Sequence, residues 1–385
     1  MITVENTDKA LKDYYLDAVS AQLNDDISPF FSAIEKNTNN VYGKDVKITV
    51  IRDGSGGIAA RTEDSDLPEP HSNRYIDITL PLKNLYGTIE ISDKALRASR
   101  DKAGALVNLL DAEMEGLIKC AKQDFRRMLF GDGTSLLCTI KSRTSGTTYV
   151  VDKLEPQFLG MCVDVYPADS GVVNDSFGVY IVSLDARSMS VTFNREIVDS
   201  VVGGKIYPHN GKDGEITGLG AIFGNNETLY GHSKLQDSYF TPYVVDANNE
   251  LTEEIMCDLM DTIERKFNSK VNMIICSYNS RRKIAALVKE NKLVVNTIDV
   301  HTGIGAVTVN GVPVYADKYC PDGKIYFLNT DDFSLVQLCD WEWLEDEDGK
   351  ILKQVPGKAA YSATLVKYAE LVCKKPCGQG MLVNV

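Results

Sequence analysis

The chain has 385 residues, 44% of them hydrophobic, and a formal net charge of −13. This length suffices for two domains or one elaborate domain with a real core. Because lysine and arginine carry phosphate binding, the acidic balance argues against a general affinity for nucleic acid or anionic membranes. Nine cysteines without a CxxC pair, and the lack of a signal pattern or a membrane-length apolar run, predict a protein of a reducing cytoplasm.

The amino-terminal part predicts a mostly helical arm followed by a long excursion. Apolar residues recur at helical spacing until the break at Ser28-Pro29. VKITVI (46–51) and YIDITLPLKNLYGTIEIS (75–92) then predict β-strands. Between them, GSGGIAARTEDSDLPEPHSNRY (54–75) is rich in glycine, acids and proline and has almost nothing to bury. The pattern predicts a two-stranded hairpin with no core of its own.

The segment DKAGALVNLLDAEMEGLIKCAKQDFRRMLFGDG (101–133) predicts one long amphipathic helix. Apolar residues recur every three or four positions from Leu106 to Met128, and Gly131 stops the pattern. Such a helix is about 40 Å long. From Thr139 to about Gly218, short alternating runs between turns predict an all-β insert. We expect a Gly-Ser linker to replace residues 150–216 without loss of folding, because loop closure costs grow slowly with length.

The carboxy-terminal half predicts a mixed α/β domain. Helical spacing from Leu251 to Phe267, the apolar strand VNMIIC (271–276) and the helix SRRKIAALVKENK (280–292) follow one another. YSATLVKYAELVC (361–373) is predicted to be the last strand. Turns are predicted at Asn310-Gly311, Pro321-Asp322-Gly323 and Asp348-Gly349.

The sequence offers no assembled chemistry. It contains no GxSxG, HExxH, GxxxxGK[ST] or GxGxxG motif in a fitting context. Cys373 and Cys377 lack zinc-knuckle spacing, the acidic turn at Asp348 lacks the EF-hand pattern, and Trp341 and Trp343 are interpreted as packing residues, with a sugar platform as the weaker alternative. We therefore predict no catalytic, cofactor or metal site. The four histidines are interpreted as solvated loop residues: His71, His209, His232 and His301.

Two long segments, and the order of the parts, resemble the major capsid protein of tailed bacteriophages, which has the Hong Kong ninety-seven fold. KAGALVNLLDAEMEGLIKCAKQDFRRMLFGDGTS (102–135) resembles the spine helix of these proteins. FLNTDDFSLVQLCDWEWLEDEDGKILKQVPGKAAYSATLVKYAELVC (327–373) resembles their closing strands. The resemblance covers essentially the whole chain and implies an α+β fold.

The resemblance also implies a division of the chain. Its parts are an N-terminal arm (1–45), an extended β-hairpin loop (46–91), a peripheral domain with the spine helix (92–135 and 339–372), and a mixed α/β axial domain (136–338 and 373–385) with a β-rich insertion at about 150–216.

The implied function is structural. The subunit would self-assemble as hexamers and pentamers into the icosahedral virion capsid that encloses the phage genome, after synthesis in the host cytoplasm. Implied partners are a separate scaffolding protein, a portal, a decoration protein as an open alternative, and packaged double-stranded DNA held by weak non-specific contact, with no membrane and no cofactor. An encapsulin-like nanocompartment shell is the alternative, and a sugar-binding or hydrolytic module is less favoured.

Charged residues of the hairpin and of a turn expected near a threefold axis are the predicted subunit contacts. A two-stranded hairpin is marginal alone in water, so a neighbour is expected to supply its missing core. The charges would set register, since each exposed ion pair is worth under about 1 kcal/mol, and affinity would come from many such contacts. The predicted contact residues are Arg52, Arg61, Glu63, Asp64, Asp66, Arg74, Asp346, Asp348 and Lys350.

Two further expectations come from the resemblance. Some relatives link subunits through an isopeptide bond from a lysine of the extended loop, but no lysine lies between Ile51 and Arg74. We therefore expect shells that dissolve to monomers on a denaturing gel. Only about 45 residues precede the loop, so we expect a separate scaffolding protein and no large N-terminal cleavage.

Overall fold

The architecture comes from a computed structural model, which describes residues 28–39, 41–42, 45–54, 56–98, 105–167, 177–197, 202–290, 297–298, 305–345, 349 and 351–385. By their contacts these residues divide into two units. The first unit comprises 83–220 and 339–368, and the second comprises 28–82, 221–338 and 369–385. This division groups residues 136–220 with the spine helix, unlike the domain boundaries implied above, which stay a prediction.

The helices and strands have the following bounds. The helices are α1 (Pro29–Ala33), α2 (Asp93–Ala98), α3 (Ala105–Met128), α4 (Leu219–Phe223), α5 (Glu253–Phe267) and α6 (Tyr278–Glu290). The strands before residue 210 are β1 (Glu35–Asn37), β2 (Val41–Tyr42), β3 (Asp45–Asp53), β4 (Arg74–Pro81), β5 (Lys83–Ser92), β6 (Cys138–Ser145), β7 (Thr148–Val151), β8 (Cys162–Tyr166), β9 (Val179–Asp185), β10 (Ser190–Phe193) and β11 (Lys205–Pro208). The later strands are β12 (Thr228–Leu229), β13 (His232–Ser233), β14 (Tyr243–Asp246), β15 (Met273–Cys276), β16 (Thr297–Ile298), β17 (Gly305–Val309), β18 (Val312–Ala316), β19 (Lys324–Leu328), β20 (Phe333–Trp343), β21 (Lys353–Gln354), β22 (Ala360–Cys373) and β23 (Gly380–Val383).

In the first unit, the spine helix α3 packs on a sheet that contains β5 and β22. The helix has 24 described residues and is about 36 Å long. Met114, Ile118 and Phe125 are buried at helical spacing, which confirms the predicted amphipathic helix. Gly87 of β5 lies directly under the helix, where an added Cβ would come within 3.0 Å of Leu117. The helix ends at Met128, three residues before the glycine that was predicted to stop it.

The predicted all-β insert is a closed six-stranded barrel with the strand order β10-β7-β6-β11-β8-β9. Its core consists of inward-facing side chains of every strand, among them Ile140, Tyr149, Val163 and Val191. Strands β6 and β11 close the barrel, since Cys138 and Ile206 are register partners. The barrel thus begins at β6, and the predicted insertion boundary of about 150 would cut through its second strand.

The chain that leaves the barrel runs against the end of the spine helix. A Cβ on Gly218 would lie 2.3 Å from the Met128 carbonyl oxygen, so a larger residue does not fit. Arg127 is only 4% exposed and forms ion pairs with Asp124, at 2.7 Å, and with Glu215. Burial raises the pKa of Glu215, although the Arg127 guanidinium opposes this shift. The barrel is therefore joined to the helix through a close-packed, charged junction.

The second unit is built on a seven-stranded mixed sheet with the order β14-β23-β19-β15-β18-β17-β16. Residues of α5 and α6 share one hydrophobic core with this sheet, as predicted for a mixed α/β domain. Thr252 caps α5 by accepting a hydrogen bond from the Ile255 amide, and Asn310 and Gly311 adopt the positive φ angles of the predicted hairpin turn. The prediction that residues 361–373 form the last strand is wrong, because β23 follows and lies between β14 and β19.

Candidate subunit interface

Strands β3 and β4 form the predicted hairpin, whose pairing runs from Asp45 with Pro81 at the base to Asp53 with Arg74 at the tip. Its register places Val46, Ile48 and Val50 opposite Leu80, Ile78 and Ile76, and the first three of these side chains are buried. The hairpin base therefore has a buried apolar face within its own subunit. The expectation that a neighbour supplies the whole core is wrong for this part, because alternate residues of both strands already face the interior.

The opposite face of the hairpin is polar near the base and apolar toward the tip. Asp77 accepts a hydrogen bond from Thr49 at 2.6 Å and pairs with Lys47 at 3.1 Å, and these contacts lower the pKa of Asp77. Two rungs closer to the tip, Ile51 and Tyr75 are register partners, and both are more than half exposed. The face that carries them thus offers an uncovered apolar pair to solvent.

The tip of the hairpin lies between Asp53 and Arg74 and has no regular secondary structure in its described residues. A single turn occurs there, closed by a hydrogen bond from the Ser65 amide to the Thr62 carbonyl. Ile58 and Leu67 project from the tip with 90% and 86% of their side chains exposed. The prediction that this stretch lacks a core of its own is confirmed.

The predicted contact residues fall into three groups. Arg61, Glu63, Asp64, Asp66 and Arg74 are exposed, and none of them forms an ion pair with another residue that the structure describes. Arg52 instead pairs within its own chain, with Asp237 at 3.0 Å and with neighbouring Asp53 at 3.5 Å. The remaining three lie outside the described residues, and they are Asp346, Asp348 and Lys350.

Sequence reasoning missed the apolar tip residues and the partners of the hairpin base. Ile58 and Leu67 could have been found, since they are the two large apolar residues in a polar run. Asp237 and His232 could not have been found, because they lie more than 150 positions from the residues they contact.

The other candidate residues have structural surroundings. Trp343 is buried and Trp341 packs edge-on against Phe125, which confirms the packing interpretation. His209 is bonded to buried Asp164, so its interpretation as a merely solvated loop residue is wrong. The cysteines of the CKKPC pair are free and buried. Within the described residues, no group of three or more histidine, cysteine or acidic side chains could hold a metal, and no helix is long and apolar enough to cross a membrane.

Comparison with known proteins gives matches at the level of structure. No family model matches the sequence, and no curated protein matches it. The capsid asymmetric unit of cyanophage A-1(L) superposes with a TM-score of 0.55 and 12% sequence identity, and the match covers 93% of each chain. This chain has the fold of a phage capsid protein.

Two further solved structures are similar to this capsid fold. The capsid of the native GTA particle matches with a TM-score of 0.49 and 11% identity, over 92% of this chain and 89% of that chain. The holo-SrpI encapsulin complex from Synechococcus elongatus PCC 7942 matches with a TM-score of 0.46 and 11% identity, over 96% and 95% of the two chains. The predicted α+β class and the resemblance to capsid proteins are confirmed for the fold by the cyanophage structure.

Proposed function

We propose that this chain is a structural, non-enzymatic subunit that self-assembles into the icosahedral capsid shell around a phage genome. The capsid fold supports this proposal, and one observation carries it: Ile58 and Leu67 on the hairpin tip are apolar, and no described residue of the subunit covers them. A second copy of the chain is the proposed occupant, because a closed shell gives every hairpin an identical neighbour.

The balance of energies assigns different roles to apolar and charged tip residues. Fully burying a leucine or isoleucine stabilises by about 1.5–3 kcal/mol, whereas an exposed ion pair contributes at most about 1 kcal/mol. Ile58 and Leu67 are therefore proposed as the affinity anchors of the contact. The unpaired charges, such as Arg61 and Glu63, would fix register and exclude wrong pairings. This replaces the expectation that summed charge contacts supply the affinity.

Further features of the shell belong to the same proposal. The subunits would form hexamers and pentamers in the virion, after synthesis in the host cytoplasm, with a separate scaffolding protein, a portal and weakly held DNA as partners. Residues 46–91 would act as the extended loop, and residues 92–135 with 339–372 as the peripheral domain. Asp346, Asp348 and Lys350 would meet their symmetry mates at a threefold axis.

Removal of the tip tests the proposed contact. Asp53 and Arg74 are register partners, so an Asn-Gly turn can replace residues 54–73 and close the hairpin. The melting temperature of unassembled subunits should change little, since no buried side chain is removed from the described tip. Sedimentation with the scaffolding partner present should show normal shells for the wild type and none for the truncated chain. Shells of normal size and yield from the truncated chain would refute the hairpin contact.

Point variants sharpen this experiment. Ile58→Ser with Leu67→Ser should prevent assembly. Leu159→Ser should not, because Leu159 is a 57% exposed apolar residue between β7 and β8, outside the hairpin. Trypsin provides a second measurement, because Arg61 is exposed at the tip. The enzyme should cleave after Arg61 in free subunits and spare it in shells. Shells that hold protein cargo instead of DNA would favour the encapsulin-like alternative.

A further inference from the structure

The base of the hairpin is attached to a separate stretch of the same unit. This stretch, residues 228–240, is called the bracket and contains β12, β13 and a 3-10 turn at Ser238–Phe240. Two polar contacts join bracket and hairpin. Arg52 Nη1 lies 3.0 Å from Asp237 Oδ2, and His232 Nε2 lies 3.3 Å from the carbonyl oxygen of Asp77.

Contacts within the bracket hold both side chains in place independently of the hairpin. Asp237 uses its Oδ1 to accept the Tyr239 amide at 3.1 Å, which leaves Oδ2 for Arg52. The His232 ring stacks on Phe240, with centroids 4.4 Å apart and planes at 4°, and Phe240 is fully buried. Because a carbonyl oxygen can only accept, the His232 Nε2 donates to the hairpin backbone. The bracket thus offers two preset partners.

The Arg52 contact lies at a point where a small change in the angle of the hairpin moves its tip a long way. Val50 is the last buried residue of β3, so Arg52 lies where the hairpin leaves the subunit. The 20 residues from Gly54 to Asn73 follow it, and an extended path out and back would reach about 30 Å. A change of about 10° at the exit would move the end of such a path by about 5 Å, which exceeds the length of any hydrogen bond.

We infer that Arg52, Asp237 and His232 are positioning residues that aim the hairpin before a neighbour arrives. Pairs inside the hairpin, such as Lys47 with Asp77, hold β3 to β4 but cannot set the direction of the hairpin. The bracket contacts can, because they connect it to the rest of its unit. A hairpin that is already aimed loses less conformational freedom on binding, so a larger fraction of subunits is competent to assemble. This role deepens the proposed function and rests on it.

The test compares hairpin order with assembly. Arg52→Gln removes the ion pair, and His232→Phe keeps the stacking on Phe240 but removes the donor. Each variant should raise the critical concentration for assembly by about two- to fivefold, the range expected for one partly exposed polar contact. Arg52→Lys keeps the positive charge opposite Asp237 and should stay near the wild-type value. Arg187→Gln, at an exposed turn of the barrel, is the matched control and should change nothing.

Distances between spin labels report the aim of the hairpin directly. Labels at Thr62 and Glu264, introduced as unnatural amino acids, measure the tip against α5 in unassembled subunits. The distance distribution should be narrow in the wild type, broad in Arg52→Gln and His232→Phe, and narrow in Arg52→Lys. Subunit melting temperatures should stay equal.

The outcomes separate this role from the proposed function. Unchanged distances in both variants would overturn the positioning role, and so would broadened distances with an unchanged critical concentration. Failure of the wild type to form shells would overturn the proposed function itself. Broadened distances and weaker assembly in Arg52→Gln, with both retained near the wild-type values in Arg52→Lys, would establish Arg52 as a residue that acts within its own subunit.

Discussion

Excision of the β-barrel should succeed or fail according to where the chain is cut. We compare two deletions, each closed by a short Gly-Ser linker: residues 138–208, which remove the barrel at its structural boundaries, and residues 150–216, which follow the boundaries expected from sequence. The first should give a folded subunit. Its cut ends lie close together, since the Leu137 amide donates to the Ile206 carbonyl at 2.9 Å.

The second deletion should not fold, and the structure gives the magnitude. It strips the cover from barrel-core residues Ile140 and Tyr149, which the first deletion removes altogether, and this costs about 1.5–3 kcal/mol each. It also removes Glu215 and leaves Arg127 buried with one partner fewer, at a cost of about 3–5 kcal/mol. The loss is on the order of 10 kcal/mol, as large as the whole stability of a typical domain.

Far-ultraviolet circular dichroism and urea unfolding of unassembled subunits measure the difference. The 138–208 deletion should retain the helical signal of α3 and a cooperative unfolding transition. The 150–216 deletion should be insoluble or lack that transition. If both deletions unfold at the same urea concentration, neither the barrel boundary nor the Arg127 junction has the energetic weight assigned to it.

Four single-site substitutions test the packing and burial of described residues. Gly218→Ala should lower the free energy of unfolding in urea by about 1–3 kcal/mol, because its Cβ clashes with the Met128 carbonyl. In Gly116→Ala the new Cβ meets nothing within 4 Å, so this variant should stabilise α3 by about 0.5–1 kcal/mol. Equal effects of the two substitutions would contradict the clash. Gln157→Leu should raise the free energy of unfolding by about 1–3 kcal/mol, because neither amide atom of Gln157 has a partner among the described residues, and a decrease would reveal a hidden one. Burial raises the pKa of Asp332, so the folded state binds its proton more tightly, and ionisation of this residue lowers stability as pH rises above its ordinary pKa. Asp332→Asn should therefore be more stable than the wild type near pH 7, and the difference should vanish at more acidic pH. A difference that does not depend on pH would contradict this.

Local signals made much of the fold predictable from the sequence. The spine helix has a sustained apolar repeat, the cap at Thr252 is a short-range interaction, and the turn at Asn310-Gly311 needs only two residues with positive φ angles. β23 was missed because four residues carry too little pattern, and its identity as a strand depends on partners far away in sequence. Closure of the barrel by Cys138 and Ile206 depends likewise on distant pairing.

The position of the candidate interface was predictable from the sequence, but the different roles of its residues were not. The excess of polar residues identified the exposed tip. The alternation of Val46, Ile48 and Val50 with polar residues also indicates that one face of the hairpin base is buried, which was not predicted. The partner of Arg52 is 185 positions away, so composition could not show that this charge is used within the subunit. Charge alone does not distinguish a residue that binds a neighbour from one that orients a strand.

The placement of β23 has a consequence for the order of events during translation. β14 is complete at residue 246, but its sheet neighbour β23 is not made until residue 383. At about 5–20 residues per second, the ribosome needs about 7–27 s to make the intervening chain. During that interval the inner edge of β14, and later that of β19 once it has been made, lacks the strand that joins them, although the hairpin at residues 45–81 has already emerged. If the hairpin is the intersubunit contact proposed above, a growing chain exposes it well before its own sheet can close, and nascent chains on crowded polysomes would associate prematurely.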